Sequence, residues 1–443
     1  MAKKIFLISG LCDIQKAGNQ TIKNTIYYLA KANFELRVFS FLPDDYPNLL
    51  KPDEVFSGVG KYIHFHRLPK PLSFFFKLAR WLKNLFRKNK KISYQEMPNF
   101  YFQPAKTINY FADLKKPGQF IYFLSWFFYL FLEPPRILVF ALKEKPDLFY
   151  GYEIYGAKVA SIMGKIFRKP VITRFQGTAL NVKERSQWKF FPHHVLGLRS
   201  EAQAYIMGND GTQGKEVLMN LGVPEKKIYF WMNGIDKNDF KTNQRGVEEI
   251  KRRLNLEKKK IFLSVNKLKI WKRIDRQIFA ISELKKNYQM KNLVLLIIGD
   301  GPERKNLENL VKKYEVEKEV KFVGPIPHSQ VANYFRLADL FLITNDVSNL
   351  SNQLLEALYF GLPIITLNDG STKEVLESGY NAILVSLNKI KEELPKAIYQ
   401  VLTNEELTQR LRKNAKVTAK NKILSWEKRM EKEIELVNSL IKK

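Results

Sequence analysis

Short apolar runs bounded by polar turns alternate with helical periodicities along most of this chain. Ile5–Ser9 is a short apolar run of strand length, followed by a polar loop through Gly10 and Gly18. Apolar residues then recur at helical spacing from about Thr21 to Lys31, and Glu35–Phe41 reads as the next strand. Strand, helix, strand is the unit from which parallel sheets are built. The same order restarts at Lys260–Val265. It continues through a helix at Ile274–Asn287, a strand at Leu293–Ile298, a helix at Glu303–Tyr314 and a strand at Val320–Val323. Leu340–Ile343, Gln353–Tyr359 and Pro363–Thr366 extend the alternation. The pattern predicts an α/β chain of two Rossmann-like, doubly wound domains, residues 1–240 and 250–423, with the charged stretch Lys241–Lys260 around their boundary.

The last segment adds one helix. Trp426, Met430, Ile434, Val437 and Ile441 form a single apolar stripe, so the helix in 424–443 is expected to pack back on the first domain. Two stretches of the first half break the alternation. Val55–Gln95 holds ten Lys/Arg and no acid. Within 72–91, Phe74, Leu78, Trp81, Leu82, Leu85 and Phe86 interleave with Lys77, Arg80, Lys83, Arg87 and Lys88, which on a helix separates an aromatic face from a basic one. Such a helix is expected to lie on an anionic membrane surface, the alternative being a surface helix with a solvated basic face. Phe120–Leu132 is a second apolar run, interrupted by Glu133-Pro134-Pro135-Arg136. It is shorter than the ~20 residues a spanning helix needs, which leaves a buried helix or an interfacial segment.

Composition narrows this reading in three ways. A length of 443 residues favours two domains, because single cores rarely grow beyond about 250–300 residues. Cys12 is the only cysteine, which excludes an internal disulfide and a cysteine-based zinc cluster and fits a cytoplasmic protein. The net charge of +30 points to anionic partners without saying which. The apolar run at the amino terminus is too short for the core of a signal peptide, so a first strand is expected there.

The candidate chemistry lies in the second half. Ser264–Asp275 contains Asn266, Lys267 and Lys272 in the loop after a strand, where cations suit a diphosphate at the carboxyl end of a parallel sheet. Ile298-Gly-Asp-Gly-Pro302 and Phe322-Val-Gly-Pro-Ile-Pro327 are turns after strands. Thr344–Ala357 runs from a strand end into a helix near Asn352. Ser348, Asn349, Ser351 and Asn352 are natural caps there, and the free amides at that start would bind phosphate oxygens. Glu356 follows about one turn later, placed to accept hydrogen bonds from two ribose hydroxyls. His64 with His66, and His193 with His194, lack a third ligand nearby, so no metal site is expected.

In this order the segments resemble the retaining glycosyltransferases of GT-B family 4, the group 1 glycosyltransferases. Lys267 and Lys272 stand where that family has an arginine and a lysine. Gly299, Gly301 and Pro302 match its Gly-x-Gly-Pro turn, and Val320–Gly324 matches its Val-x-Phe-x-Gly strand. Glu356-Ala-Leu-Tyr-Phe-Gly-Leu-Pro-Ile364 matches the segment that begins with its second conserved Glu. In the first domain Gly18, Pro146-Asp147 and Asn233-Gly-Ile-Asp236 carry a thinner likeness.

The resemblance implies the GT-B fold and transfer of a sugar from a nucleotide-diphosphate sugar to a glycan or lipid-linked acceptor, with retention and without a cofactor or metal. Taken with the single cysteine and the stretch 72–91, it leads to the expectation of a cytoplasmic, peripheral membrane protein of cell-envelope polysaccharide synthesis, with nucleic-acid binding a weaker reading of the charge and no nucleic-acid partner expected. The implied catalytic set is Lys267, Lys272, Gln176 and Arg174. The implied donor-binding set is Gly18, Asn266, Gly301, Gly324, Ser348, Asn349, Leu350, Ser351, Asn352 and Glu356.

Two departures stand out. Ser348 occupies the position of the family's first Glu, which contacts the donor sugar, so Asn349 or Asn352 is the expected substitute. Gln176 stands after the strand Val171–Phe175, where the family often has a histidine, and it can hydrogen-bond but not shuttle protons as an imidazole does. These departures leave open a non-catalytic nucleotide-sugar-binding subunit, and a sugar-nucleotide epimerase of similar architecture remains a further alternative.

Overall fold

A computed structural model describes residues 2–10, 20–43, 55–69, 74, 116–236, 240 and 243–442. Gly18 and, apart from Phe74, the aromatic and basic stretch 72–91 lie outside the described residues.

Two parallel sheets organise the chain. The first contains β1 (Lys4–Gly10), β2 (Glu35–Pro43), β3 (Ile63–Leu68), β4 (Leu148–Tyr152), β5 (Val171–Phe175), β6 (Ala204–Gly208) and β7 (Ile228–Trp231), in the order β3-β2-β1-β4-β5-β6-β7. The second contains β8 (Lys260–Val265), β9 (Leu293–Ile298), β10 (Val320–Gly324), β11 (Leu340–Leu342), β12 (Ile364–Leu367) and β13 (Ile383–Val385), in the order β10-β9-β8-β11-β12-β13. Both orders reverse beside their first strand, which opens a crevice at the carboxyl ends of the strands. Helices cover both faces. On the first sheet these are α1 (Gln20–Lys31), α2 (Lys116–Glu144), α3 (Glu153–Phe167), α4 (Pro192–Leu198) and α5 (Gly214–Asn220). The second sheet carries α6 (Gln244–Leu254), α7 (Ile274–Lys286), α8 (Arg304–Lys313), α9 (His328–Leu337), α10 (Asn352–Phe360), α11 (Ile390–Thr403) and α12 (Glu405–Lys422). The central strands β1, β4 and β9 are buried along almost their whole length, which explains their continuous apolar runs.

The last helix, α13 (Trp426–Ile441), crosses back to the first lobe. Its Trp426, Met430 and Val437 are fully buried with Leu7, Tyr150 and Ile206 of the first sheet. Each such side chain contributes roughly 1.5–3 kcal/mol of burial, enough to hold a 16-residue helix in place. The chain passes between lobes twice at one spot. Ile235 N–H donates to Leu424 O at 3.1 Å, and Trp426 N–H donates to Ile235 O at 3.2 Å.

One local expectation changes. The prolines at 134 and 135 do not interrupt the second apolar run, because α2 continues as one helix from Lys116 to Glu144. Tertiary packing keeps the register across the lost amides: Tyr129 on one side and Ile137 and Ala141 on the other are buried on one face. Arg136 pins the same turn, pairing with the fully buried Glu133 and donating to the carbonyls of Ser40 and His66. The opposite face is apolar yet open, with Phe127, Phe128, Phe131, Val139 and Leu142 between 45% and 69% exposed.

Candidate active site

The loops that leave the carboxyl ends of the two sheets meet. After β6, Asn209–Thr212 of the first lobe touches Ser348–Leu350 and Ser371 of the second. Leu350 N–H donates to Asp210 O at 2.9 Å, and Ser371 Oγ donates to Asn209 Oδ1 at 2.6 Å. Ser348 Oγ also donates to Asp210 Oδ2. Gly211 makes this approach possible. Its φ of +95° favours glycine, and a Cβ there would stand 2.7 Å from Leu350 N. A cavity of about 500 Å³ opens beside this contact, lined in part by Thr178, Lys183, Asp346, Asp369 and Lys373. A larger recess of about 800 Å³, near Lys165, Arg168 and Arg199, shares no lining residue with it and lies away from these loops.

Two loops of the second lobe form one wall through a buried ion network. Arg273, in the left-handed region at φ 49°, reaches Asp275 at 2.9 Å and Asp346 at 3.3 Å, while Arg276 reaches Asp346 at 2.6 Å. Asp346 N–H donates to Trp271 O at 3.0 Å. The loop after β8 and the loop after β11 are therefore fixed to each other, and Lys272 and Ser348 are set on the same wall.

Lys272 is buried with its ammonium 4.2 Å from the centre of the Trp271 ring. Burial pushes its pKa down to about 7. Asp210 opposes that shift, and the neighbouring Lys269 and Lys267 add to it. Lys267 itself is exposed. Asn266 is buried and its Oδ1 has no hydrogen-bond partner, while its Nδ2 stands 3.5 Å from Ser264 Oγ. Gly301 packs on the backbone of Leu268, where a Cβ would come within 2.4 Å of a carbonyl oxygen. Its role in this structure is to hold the Lys267 loop. Gly324 has φ +87° with open space beside it, and its carbonyl accepts from Gly299 N–H at 2.8 Å.

The start of α10 is only partly free. Ser351 is the N-cap residue, yet its side chain makes no cap bond and its buried Oγ has no partner. Leu350's amide, expected to face phosphate, is instead held by Asp210 O. Asn349 is fully committed: Oδ1 accepts from Asn345 N–H at 2.9 Å, and Nδ2 donates to Asn345 O and Asp369 Oδ2, both at 2.8 Å. It is thus not available as the substitute for the absent Glu. Asn352 faces the other lobe, its Nδ2 donating to Gln20 Oε1 at 3.3 Å and its Oδ1 accepting from Asn233 Nδ2 at 3.1 Å. Glu356 is buried one turn along, with Oε1 3.2 Å from His328 Nε2.

From the first lobe, Gln176 Nε2 donates to the Tyr152 hydroxyl at 2.7 Å, and its backbone N–H donates to Glu153 Oε1 at 2.9 Å. Arg174 requires a correction. Side chains alternate along a strand, and Arg174 points into the layer under α13 rather than into the crevice. There it is 2% exposed and donates to Glu433 and Thr25, both at 2.7 Å.

Three acids outside the expected site residues complete the crevice. Glu153 follows β4 in a left-handed conformation, φ +59°, and burial raises its pKa to about 7. Asp369, after β12, is likewise raised to about 7 by burial, against hydrogen bonds from Asn349 and Thr372. Asp210 is raised by burial too, although Ser348 and Thr212 donate to it. Each follows a parallel strand by one or two residues, which is the signal that would have found them. Ionisable groups shifted by burial in one crevice are a mark of a functional site.

Among the described residues no group of three His, Cys, Asp or Glu side chains is placed to hold a metal. His66 stacks on Phe39 at 4.9 Å, and burial pushes it down to about 4.

Comparison with known proteins finds similarity concentrated in the second lobe. Residues 246–418 match the family model "Glycosyl transferases group 1". Among curated relatives, the 2-deoxystreptamine N-acetyl-D-glucosaminyltransferase of Niallia circulans is 29% identical over 30% of this chain and 34% of its own length. The alpha-monoglucosyldiacylglycerol synthase of Acholeplasma laidlawii is 29% identical over 45% of this chain and 53% of its own length. The chain thus spans about a third to a half of these relatives. Anabaena HepE, solved in complex with UDP, superposes with a TM-score of 0.69 at 17% identity, covering 99% of this chain and all of that one, which shows a common fold. Residues 246–418 thus resemble the group 1 glycosyl transferases, within a two-lobed chain that has the GT-B fold.

Proposed function

We propose that the chain is a glycosyltransferase that moves a sugar from a nucleotide-diphosphate sugar to a glycan or lipid-linked acceptor, with retention at the anomeric carbon. The observation that carries the reading is Lys272: a lysine buried in the loop after β8 on the wall that meets Asp210 of the other lobe, with its pKa lowered to about 7 by burial. A diphosphate beside it would restore its charge and gain a strong, preorganised contact. Glu356 would hold the ribose, while Lys267 and the unpartnered Ser351 hydroxyl would contact phosphate oxygens.

In the reaction the bond from the anomeric carbon to the phosphate oxygen breaks. The acceptor oxygen bonds to the same face, and the acceptor's proton passes to the departing phosphate. The lysines meet the negative charge that builds on the diphosphate, so a metal is not required. Gln176, held by Tyr152 and Glu153, would orient a donor hydroxyl or the acceptor.

The acceptor reading leans on α2. Its open aromatic face suits the interface of a cytoplasmic membrane leaflet, and the chain's net charge of +30 favours anionic lipid. Among the described residues no helix is long and apolar enough to cross a membrane. The name of the Acholeplasma relative specifies a lipid product. Envelope polysaccharide or glycolipid synthesis is the fitting setting. Incubating the protein with radiolabelled nucleotide sugars and a membrane lipid extract tests the reading, with label entering lipid or glycan as the expected outcome. A non-catalytic nucleotide-sugar-binding subunit is the second reading, favoured by Gln176 and by the Leu350 amide being occupied, and tight donor binding with no turnover would support it.

A further inference from the structure

We propose that Asp210 supplies, from the opposite lobe, the sugar-contacting carboxylate that position 348 lacks. The inference rests on the donor reading above and specifies how the sugar is recognised. Ser348 stands eight residues before Glu356, where the resemblance expects a Glu. Its hydroxyl donates to Asp210 Oδ2. The Asp210 carboxylate thus stands one hydrogen bond beyond a short side chain, about as far from the backbone of residue 348 as a glutamate's own carboxylate would reach.

The surroundings shape that place for an acid. Gly177 leaves the room, since a Cβ there would lie 2.4 Å from Asp210 Oδ2. Thr212 donates to Oδ1 through its amide at 3.1 Å and its hydroxyl at 2.6 Å. The backbone carbonyl of Asp210 takes the Leu350 amide at 2.9 Å and so fixes the residue across the crevice. Among the described residues Asp210 has no ion-pair partner; its donors are all neutral. Desolvation raises the carboxyl's pKa, and Lys272 is the cation whose charge it supports across the crevice; shifted acids of this kind gather at functional sites. An ionised carboxylate accepts roughly four hydrogen bonds. The donors here are short protein groups, and exchanging the Ser348 hydroxyl for a sugar hydroxyl at Oδ2 would keep the carboxylate satisfied beside Lys272.

The test compares binding of UDP, GDP and ADP with binding of UDP-glucose, GDP-mannose and ADP-glucose by the full chain, using calorimetry. The variants are Asp210→Asn, Ser348→Glu and the double exchange Asp210→Ser with Ser348→Glu. In Asp210→Asn the preferred sugar donor loses roughly tenfold to a hundredfold in affinity relative to its own nucleoside diphosphate, the range for a hydrogen bond to a charged group. The double exchange recovers most of that loss. Sugar-donor affinity equal to the wild type in Asp210→Asn, or parallel losses for diphosphate and sugar donor, would overturn the proposal, the second showing a clamp between lobes instead. A wild type that binds no nucleotide sugar at all would sink the donor reading itself, and with it this inference. Thermal melts of each variant separate misfolding from lost recognition: if Asp210→Asn unfolds, the double exchange carries the decision, and its failure to bind sugar donors while binding the diphosphate counts against the proposal.

Discussion

Arg174 of β5 and Glu433 of α13, 259 residues apart in sequence, form an ion pair at 2.7 Å in the interior of the first lobe. Arg429 joins the same carboxylate at 3.1 Å, and the Tyr150 hydroxyl donates to its other oxygen. One acid thus balances two buried guanidinium groups. Replacing Glu433 by Ala leaves both uncompensated and is expected to cost about 3–5 kcal/mol, read as a lower denaturation midpoint in urea. Trp426 and Met430 stay in the core, so Glu433→Gln is expected to lose less. Equal stability of Glu433→Ala and wild type would show that α13 is held by its apolar stripe alone.

Lys272 sets a pH dependence of donor binding. Free, it titrates near 7; beside a bound diphosphate its charged form is favoured. Binding at pH 8 is therefore expected to take up about one proton, and affinity falls as pH rises above 7 while staying flat below it. Calorimetry of UDP or GDP in buffers of different ionisation enthalpy measures the uptake. Lys272→Ala is expected to abolish it and to lower kcat by roughly a hundredfold or more. Proton uptake unchanged in Lys272→Ala would assign the effect to another group.

Glu153 sets a pH dependence of stability. Its carboxyl is raised from 4.5 to about 7 by burial, so the folded state holds a proton that the unfolded chain has released. Its contribution is fully present below pH 4.5 and lost as pH rises through 7. The thermal midpoint of the wild type minus that of Glu153→Gln is thus expected to fall between pH 5 and pH 8, by the equivalent of about 2 kcal/mol. A constant difference would show that Glu153 is ionised throughout.

The two sheets were legible because their strands are apolar runs separated by helical periods, and β8 begins and ends where the pattern placed it. Lys272, Ser348 and Glu356 were legible as residues just past strands or at a helix start. Arg174 was misread because a run such as Val171–Phe175 is buried on both faces, so alternation gives no hint of which face is the crevice. Its partner Glu433 lies three residues after Met430 and four before Val437, beside the apolar stripe, but an acid there reads as solvated until the docking of α13 shows it buried. Glu153, Asp210 and Asp369 look like ordinary turn acids until the lobes are set face to face. Asn349 looked like a cap, and only the Asn345 and Asp369 contacts show its amide to be used up.

The open face of α2 gives a prediction about membranes. Phe127 and Phe131 are 54% and 69% exposed, so changing both to Ser is expected to leave the fold intact. Binding to vesicles carrying anionic lipid is expected to weaken by roughly tenfold in a sedimentation assay, as apolar area leaves the interface. High salt is expected to weaken the wild type as well. Unaltered vesicle binding by the double variant would move the membrane contact elsewhere on the chain.

The most direct test of the account is sugar transfer itself. Wild type, Lys272→Ala and Glu356→Ala are each incubated with a panel of nucleotide sugars labelled in the sugar, together with a lipid extract. The account predicts label in lipid or glycan and an equal release of nucleoside diphosphate by the wild type, with both reduced roughly a hundredfold in each variant. Label that stays on the nucleotide as a changed sugar, or transfer undiminished in the two variants, would contradict it.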